Sequence, residues 1–384
     1  MCSDIMADQL PATSVEDLLT LIITTSPTPS APSTELLEQI TDGFRTHCPS
    51  ITRCRVILVL DTYDHIMGKA RLKRGQVTAE VAADFAVYKT NAIRYVLQEY
   101  APAGTVYEKE DLVESWERAE FGSGAAAYAA QNCHVPLAVT RTRDGHITII
   151  EPSQRLGFGL GVRSALRLTS TPYVWIQQHD WSLVADIPLD PLLRLMQETP
   201  ESEEDDEEGD EENNEDVGCV KPPVKYVCFP SVRMFQYATS DHVMLYPGLR
   251  ALTQLYKQNF TVASETGDRT TKIPLTPMFF WHDKPHIAST KHYLTQVFTT
   301  RLSMARGAFI EDTVGQRARA EMKEGNWKKW ACWLYYPDDG KLLVLRHLMG
   351  RTWRGAEGAL AKKMEYMRLN EIQGTEKYDQ ICRR

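Results

Sequence analysis

The strongest constraint on this chain is a strand–helix–strand pattern near its start. Residues 17–25 (DLLTLIITT) form an apolar, β-branched run, and residues 53–61 (RCRVILVLD) form a second that ends in an acid. A Pro/Ser-rich turn at 26–33 separates the first run from a helical pattern. There Leu36, Leu37, Ile40 and Phe44 recur at helical spacing, and Thr34 stands where a cap belongs. Strand, helix, strand at this spacing is a βαβ unit, which requires parallel pairing and a right-handed crossover. Ligands of such sheets sit at the carboxyl ends of the strands, which singles out Ser26 and Asp61.

The remaining pattern continues in the same style. A helix is expected over 81–100, a short strand near 105–107, and a tightly packed Gly/Ala helix over 121–130. Residues 135–139 and 146–150 read as a hairpin turning at Asp144-Gly145. A helix at 160–168 leads to the apolar strand 172–178, which delivers His179 and Asp180, and a helix begins over 189–196. Further on, the spacing predicts a strand at 226–229, helices at 245–259 and 289–302, strands at 330–336 and 342–347, and a helix at 358–369. The expectation is an α/β domain spanning 17–350, with a flexible tail at 1–16 and a helical tail at 351–384. No internal repeat is visible.

Charge narrows the function classes. Residues 201–216 (ESEEDDEEGDEENNED) carry 12 of the chain's acids and no Lys or Arg, so the formal charge of −8 becomes +4 for the remainder. A self-repelling, low-complexity block of this kind reads as a disordered surface insertion, here bounded at 198–218. The mildly basic remainder suits a phosphate-bearing ligand and is too weak for nucleic acid. The 8 cysteines include no CxxC pair, which argues against a zinc knuckle and for free thiols in a reducing compartment. No basic n-region precedes the first apolar run, and no stretch reaches the roughly 20 apolar residues of a membrane span. A soluble, cytoplasmic protein without an integral membrane segment is expected.

Several constellations are candidates for chemistry. Asp180 at a strand tip offers a hard oxygen for a divalent cation, with His179 as a nitrogen donor or an orienting group; the same pair also serves to cap a turn. Glu311 and Asp312 end the segment 307–312 (GAFIED), where one carboxylate can take a proton from a hydroxyl while the other orients it; adjacent acids also start helices. His347 follows an apolar strand and is either a further metal ligand or structural. Trp281, Asp283, Lys284 and His286 crowd aromatic and ionisable groups into six residues, which suits a polar ligand or a loop ion pair. Arg163 and Arg167 are four apart on one helix face, toward a phosphate or toward solvent. No GxxxxGK[ST] loop, GxSxG elbow or HExxH is present, and GFGLG at 157–161 lacks the acid a dinucleotide fingerprint needs.

Four segments in order resemble the GT-A fold of inverting, family-2-like nucleotide-sugar glycosyltransferases: LIITTS (21–26), VILVLD (56–61), RSALRLTSTPYVWIQQHD (163–180) and GAFIED (307–312). The resemblance implies a mixed, mainly parallel, Rossmann-like α/β sheet flanked by helices, and transfer of a sugar from an NDP-sugar donor to an acceptor hydroxyl. It implies Ser26, Asp61 and Arg163 at the nucleotide, and Asp180, His179 and His347 at a divalent cation (Mn2+ or Mg2+). Glu311 or Asp312 would be the base, and Trp281, Asp283 and His286 would line the acceptor side. Where the family motif reads Asp-x-Asp, this chain has Gln178-His179-Asp180, a single acid. It also has no Gln-x-x-Arg-Trp element, which disfavours processive polysaccharide synthesis. The rivals are a nucleotidyltransferase, which normally wants a basic, Gly-rich loop after its first strand, and a non-catalytic binding or scaffold protein on the same fold.

Overall fold

The computed structural model describes residues 14–122, 133–199, 222–263, 270–300 and 303–373. The Gly/Ala helix expected at 121–130 lies outside them from residue 123, and the acidic insertion from residue 200. The first half runs α1 (Val15–Leu18), β1 (Leu19–Thr25), α2 (Glu35–His47), β2 (Arg55–Leu60), β3 (His65–Ile66), β4 (Gln76–Val77) and α3 (Ala79–Glu99). Then come β5 (Leu112–Glu120), β6 (His134–Thr142), β7 (Ile147–Pro152), α4 (Phe158–Leu166), β8 (Tyr173–Gln178), β9 (Trp181–Leu183) and α5 (Leu189–Gln197). The second half holds β10 (Tyr226–Cys228), α6 (Asp241–Met244), α7 (Pro247–Tyr256), β11 (Gln258–Ala263), β12 (Thr270–Pro277) and β13 (His286–Ser289). It continues with α8 (Thr290–His292), α9 (Gln316–Lys323), α10 (Trp327–Trp330), β14 (Cys332–Tyr335), β15 (Leu345–His347) and α11 (Gly355–Gln373).

Eleven strands form one mixed sheet in the order β11-β12-β14-β10-β13-β8-β1-β2-β7-β6-β5. At its centre β8, β1, β2 and β7 run parallel, with Ile22 opposite both Ile57 and Ile176. All seven residues of β1 are buried, as expected of a parallel strand covered on both faces. Helix α2 buries Leu36, Leu37, Ile40 and Phe44, and the Phe44 ring meets Trp175 of β8 edge-on at 5.8 Å. Helix α3 starts at Thr78, whose hydroxyl accepts from the Val81 N–H at 3.3 Å, and it sends Tyr88 to the Thr25 hydroxyl at 2.7 Å.

The α/β architecture and the opening βαβ unit agree with the sequence reading, but the sheet is not mainly parallel: 4 of its neighbouring pairs are parallel and 6 antiparallel, because hairpins and returning strands extend it on both sides of the parallel centre. The hairpin at Asp144-Gly145 forms as β6 and β7. Three local expectations are corrected. The helix expected over 245–259 stops at Tyr256, because Gln258–Ala263 pairs with β12 as an edge strand. The helix expected over 289–302 is one α-turn and one π-turn ending at Val297, with Phe298 out of helical geometry. Residues 105–107 form no strand, whereas Leu112–Glu120, six of whose residues face solvent, does. Pairing with β6 along its whole length decides that strand, and a lone sequence does not show a partner.

Candidate functional site

The strand order reverses at β1: β2 and β7 follow on one side of it, and the chain then crosses back through α4 to place β8 on the other side, both β2 and β8 being parallel to β1. Reversals of this kind open a crevice at the carboxyl ends of the strands. The crevice here is a cleft lined by Thr24, Thr25 and Ser26 after β1, Asp61 after β2, and Gln178, His179 and Asp180 after β8. The turn after β7 adds Arg155 and Gly157, and the loop before β4 adds Lys73. Phe309 and Arg351 close it from the C-terminal part of the chain.

Asp61 is buried, and its carboxylate organises the facing turn. Oδ1 accepts from the N–H groups of Leu156 (2.7 Å) and Thr62 (3.0 Å), and Oδ2 accepts from Gly157 (3.0 Å). Burial raises its pKa to about 6 against the pull of the Leu156 and Gly157 donors. Gly157 has φ +79°, and a Cβ there would meet the Gly307 backbone at 2.5 Å, so the close approach of the turn to the GAFIED loop requires a glycine at 157. Arg155 sits over this contact. It donates to the Lys73 carbonyl (3.2 Å) and lies 3.7 Å from Asp64, which Arg306 also pairs with.

Asp180 is held in a turn. Its Oδ2 lies 3.1 Å from His347 Nε2 and accepts from the Gly350 N–H at 3.2 Å. Burial pushes its pKa up, but the His347 hydrogen bond, the neighbouring His179 and the Gly350 donor together hold it below the usual aspartate range. His179 is buried with Nδ1 3.3 Å from the Thr24 carbonyl, and burial lowers its pKa. The Gly350 backbone packs so closely that a Cβ would sit 2.8 Å from Asp180 Cβ and 2.9 Å from His179 Nε2.

A resident divalent cation does not fit this donor set. Such an ion wants several hard oxygens converging on one point. The end of β8 supplies one acid where two are expected, and one of that acid's oxygens is already engaged by two donors; Asp61, the other acid of the cleft, has both oxygens taken by backbone N–H groups. His179 turns one nitrogen to a backbone carbonyl. Among the described residues no cluster of three or more His, Cys, Asp or Glu is arranged to hold a metal.

The carboxylates at 311–312 lie outside the cleft lining, in a second cluster. The Asp283 N–H is 3.4 Å from Glu311 Oε2, and the Glu311 N–H donates to Asp283 Oδ1 at 3.2 Å, a reciprocal clamp. His282 Nδ1 lies 3.5 Å from the same Glu311 oxygen and 3.4 Å from Lys284 Nζ. The His282 contact lowers the Glu311 pKa, while burial drives His282 down to about 4. Asp283 is pushed well above the aspartate range, first by burial and then by the Glu311 charge, so of the two carboxyls it takes up a proton before Glu311 does. Asp312 is exposed. The Gln178 side chain donates to the Asp283 carbonyl at 2.6 Å and joins this cluster to the cleft.

The structure thus brings Ser26, Asp61, His179 and Asp180 together, with His347 behind Asp180. It sets Glu311, Asp312 and Asp283 to one side. Trp281 and His286 are 0% exposed and pack with Tyr226 and Tyr293, behind the clamp and away from any cleft. Arg163 is 3% exposed on α4 and does not line the cleft; burial, with Arg167 nearby, lowers its pKa to about 10. The cations that do line it, Lys73, Arg155 and Arg351, were not among the sequence candidates. One signal was available for Arg155: it follows directly on a strand that ends beside Asp61's strand.

No protein-family model matches the chain, and no curated protein matches it. Among the described residues, no helix is long and apolar enough to cross a membrane.

Proposed function

We propose that the chain is a GT-A-like glycosyltransferase acting on an NDP-sugar and an acceptor hydroxyl. The observation that carries this reading is the cleft at the β1 reversal point, where Ser26 at the end of β1 shares the lining with Lys73, Arg155 and Arg351. A hydroxyl and cations at such a crevice suit a ribose and a diphosphate. In the transfer, the acceptor oxygen bonds to the anomeric carbon while the bond from that carbon to the diphosphate oxygen breaks. The proton leaves to a carboxylate, and the negative charge collects on the departing nucleoside diphosphate. Glu311 suits the base role better than Asp312, because His282 holds it ionised and the Asp283 clamp fixes its position.

Thermal shift with UDP- and GDP-sugars, followed by a turnover assay on the sugar that binds, tests the reading. Binding raises apparent stability by mass action. Turnover that Glu311→Gln abolishes while donor binding persists supports it, and turnover unchanged by that substitution removes Glu311 from the mechanism. One observation favours a second reading, a non-catalytic nucleotide-sugar binder: neither Glu311 nor Asp312 lines the cleft. Donor binding with neither transfer nor hydrolysis would select it.

A further inference from the structure

We propose that Asp180 is a latch for the segment carrying Arg351, and that Arg351, Lys73 and Arg155 neutralise a bound diphosphate where a divalent ion would otherwise be required. The inference rests on the nucleotide-sugar reading for the identity of the ligand, but its geometry stands apart from it.

The argument begins with β15. It pairs antiparallel with β9, placing His347 opposite Trp181 with ring centres 4.5 Å apart, and the Leu348 N–H donates to the Asp180 carbonyl at 2.7 Å. The chain then reverses at Met349, a non-glycine residue at φ +61°. A bulky side chain in left-handed geometry is uncommon and needs support from its surroundings. Asp180 provides it by holding His347 on one side of the reversal and the Gly350 N–H on the other with a single oxygen. The next residue is Arg351, which lines the cleft with its guanidinium 5.7 Å from the centre of the Phe309 ring. The carboxylate that the motif would lend to a metal is spent on delivering a cation.

The charges agree with that exchange. Arg155 shares Asp64 with Arg306, but no acid of the described residues stands within ion-pair distance of Lys73 or Arg351. Two cations with no acidic partner among the described residues, and one shared cation, therefore line a cleft whose two acids already accept backbone donors. An arginine fork binds phosphate oxygens bidentately and needs no metal bridge.

The test is calorimetric titration of UDP, GDP and inorganic pyrophosphate into the full chain, in EDTA and in excess Mn2+. Binding is expected in EDTA, with Mn2+ changing Kd by no more than about twofold, and Arg351→Ala weakening it about tenfold or more, a loss on the scale of one charge-assisted contact. Asp180→Ala is expected to match Arg351→Ala, whereas Asp180→Asn, which keeps an acceptor for Gly350, stays near wild type. Thermal unfolding of each variant confirms that the fold is retained. UDP or GDP binding that appears only with Mn2+, or binding in EDTA indifferent to Arg351, overturns the proposal and leaves the nucleotide-sugar reading intact. Loss of binding in Asp180→Asn as complete as in Asp180→Ala overturns the latch. Pyrophosphate binding in EDTA without UDP or GDP binding keeps the anion site and overturns the nucleotide reading. No binding of any of the three overturns both.

Discussion

Two polar clusters meet at the end of β8, and they handle charge in opposite ways. The cleft keeps its charges: Asp180 stays ionised, and Lys73 and Arg351 stand at its wall. The 281–286 segment gives its charges up. Burial holds His282 neutral with a pKa of about 4 and His286 with a pKa of about 3, and it raises the Asp283 pKa well above the aspartate range. His286 fixes its tautomer through the Lys284 carbonyl, 2.6 Å from Nδ1. Ionisable residues crowded together in sequence thus mark a packed interior, whereas the residues gathered around the cleft come from distant segments. Density along the chain is a poor guide to an accessible site, because desolvation decides whether a side chain keeps its charge.

Glu311 lies at the border of the two regions and tests the comparison most severely. Glu311→Gln should lower sugar transfer about 10^2–10^4-fold, the range for loss of a general base, with donor affinity unchanged. Next in size is Trp281→Ala, which empties a fully buried indole site and should cost about 3–5 kcal/mol in urea unfolding. Pyrophosphate affinity of the folded variant should not move. If it falls with stability, the packed box and the cleft are one unit.

Asp61→Asn comes third. It turns one acceptor into a donor that faces a backbone N–H, for a cost of about 1–3 kcal/mol measured by chemical denaturation. The wild-type carboxyl should titrate near pH 6 in a carbon-detected NMR titration. Because its pKa is raised on folding, Asp61 stabilises the protein fully below the unfolded aspartate value, and that contribution is lost as pH rises through about 6. A midpoint at the usual aspartate value would show that the carboxylate is solvated. The smallest effect belongs to Asp283→Asn, below about 1 kcal/mol at neutral pH, since the amide keeps the acceptor used by Glu311 and mimics a protonated acid. Above the raised Asp283 pKa the wild type alone must bury a charge, so the Asn variant should lose less stability on the alkaline side. Equal alkaline sensitivity would refute the raised Asp283 pKa.

How much was legible follows from how local each decision is. β1, β2 and β8 showed in the sequence because central parallel strands are buried along nearly their whole length and so read as largely apolar, β-branched or aromatic runs. Ser26, Asp61 and Asp180 followed because the ends of such strands meet at one edge. β11 was hidden, since Gln258 and Asn259 continue a helical pattern and only pairing with β12 turns them into a strand. Arg351 was hidden too, because its place depends on β15 joining β9, a contact between residues more than 160 positions apart.

By itself the amino-acid sequence determined the α/β class, the opening βαβ unit and the polar residues that cap its strands. Those features follow from periodicity and the fixed geometry of a parallel crossover. Only the tertiary structure decided which charges share the cleft and which are silenced. That outcome depends on strand order, on the turn at 347–351 and on desolvation, all of which join residues distant in the chain. His179 and Asp180 show the division: the sequence placed them at a strand tip, and the fold turned Asp180 toward His347 and Gly350.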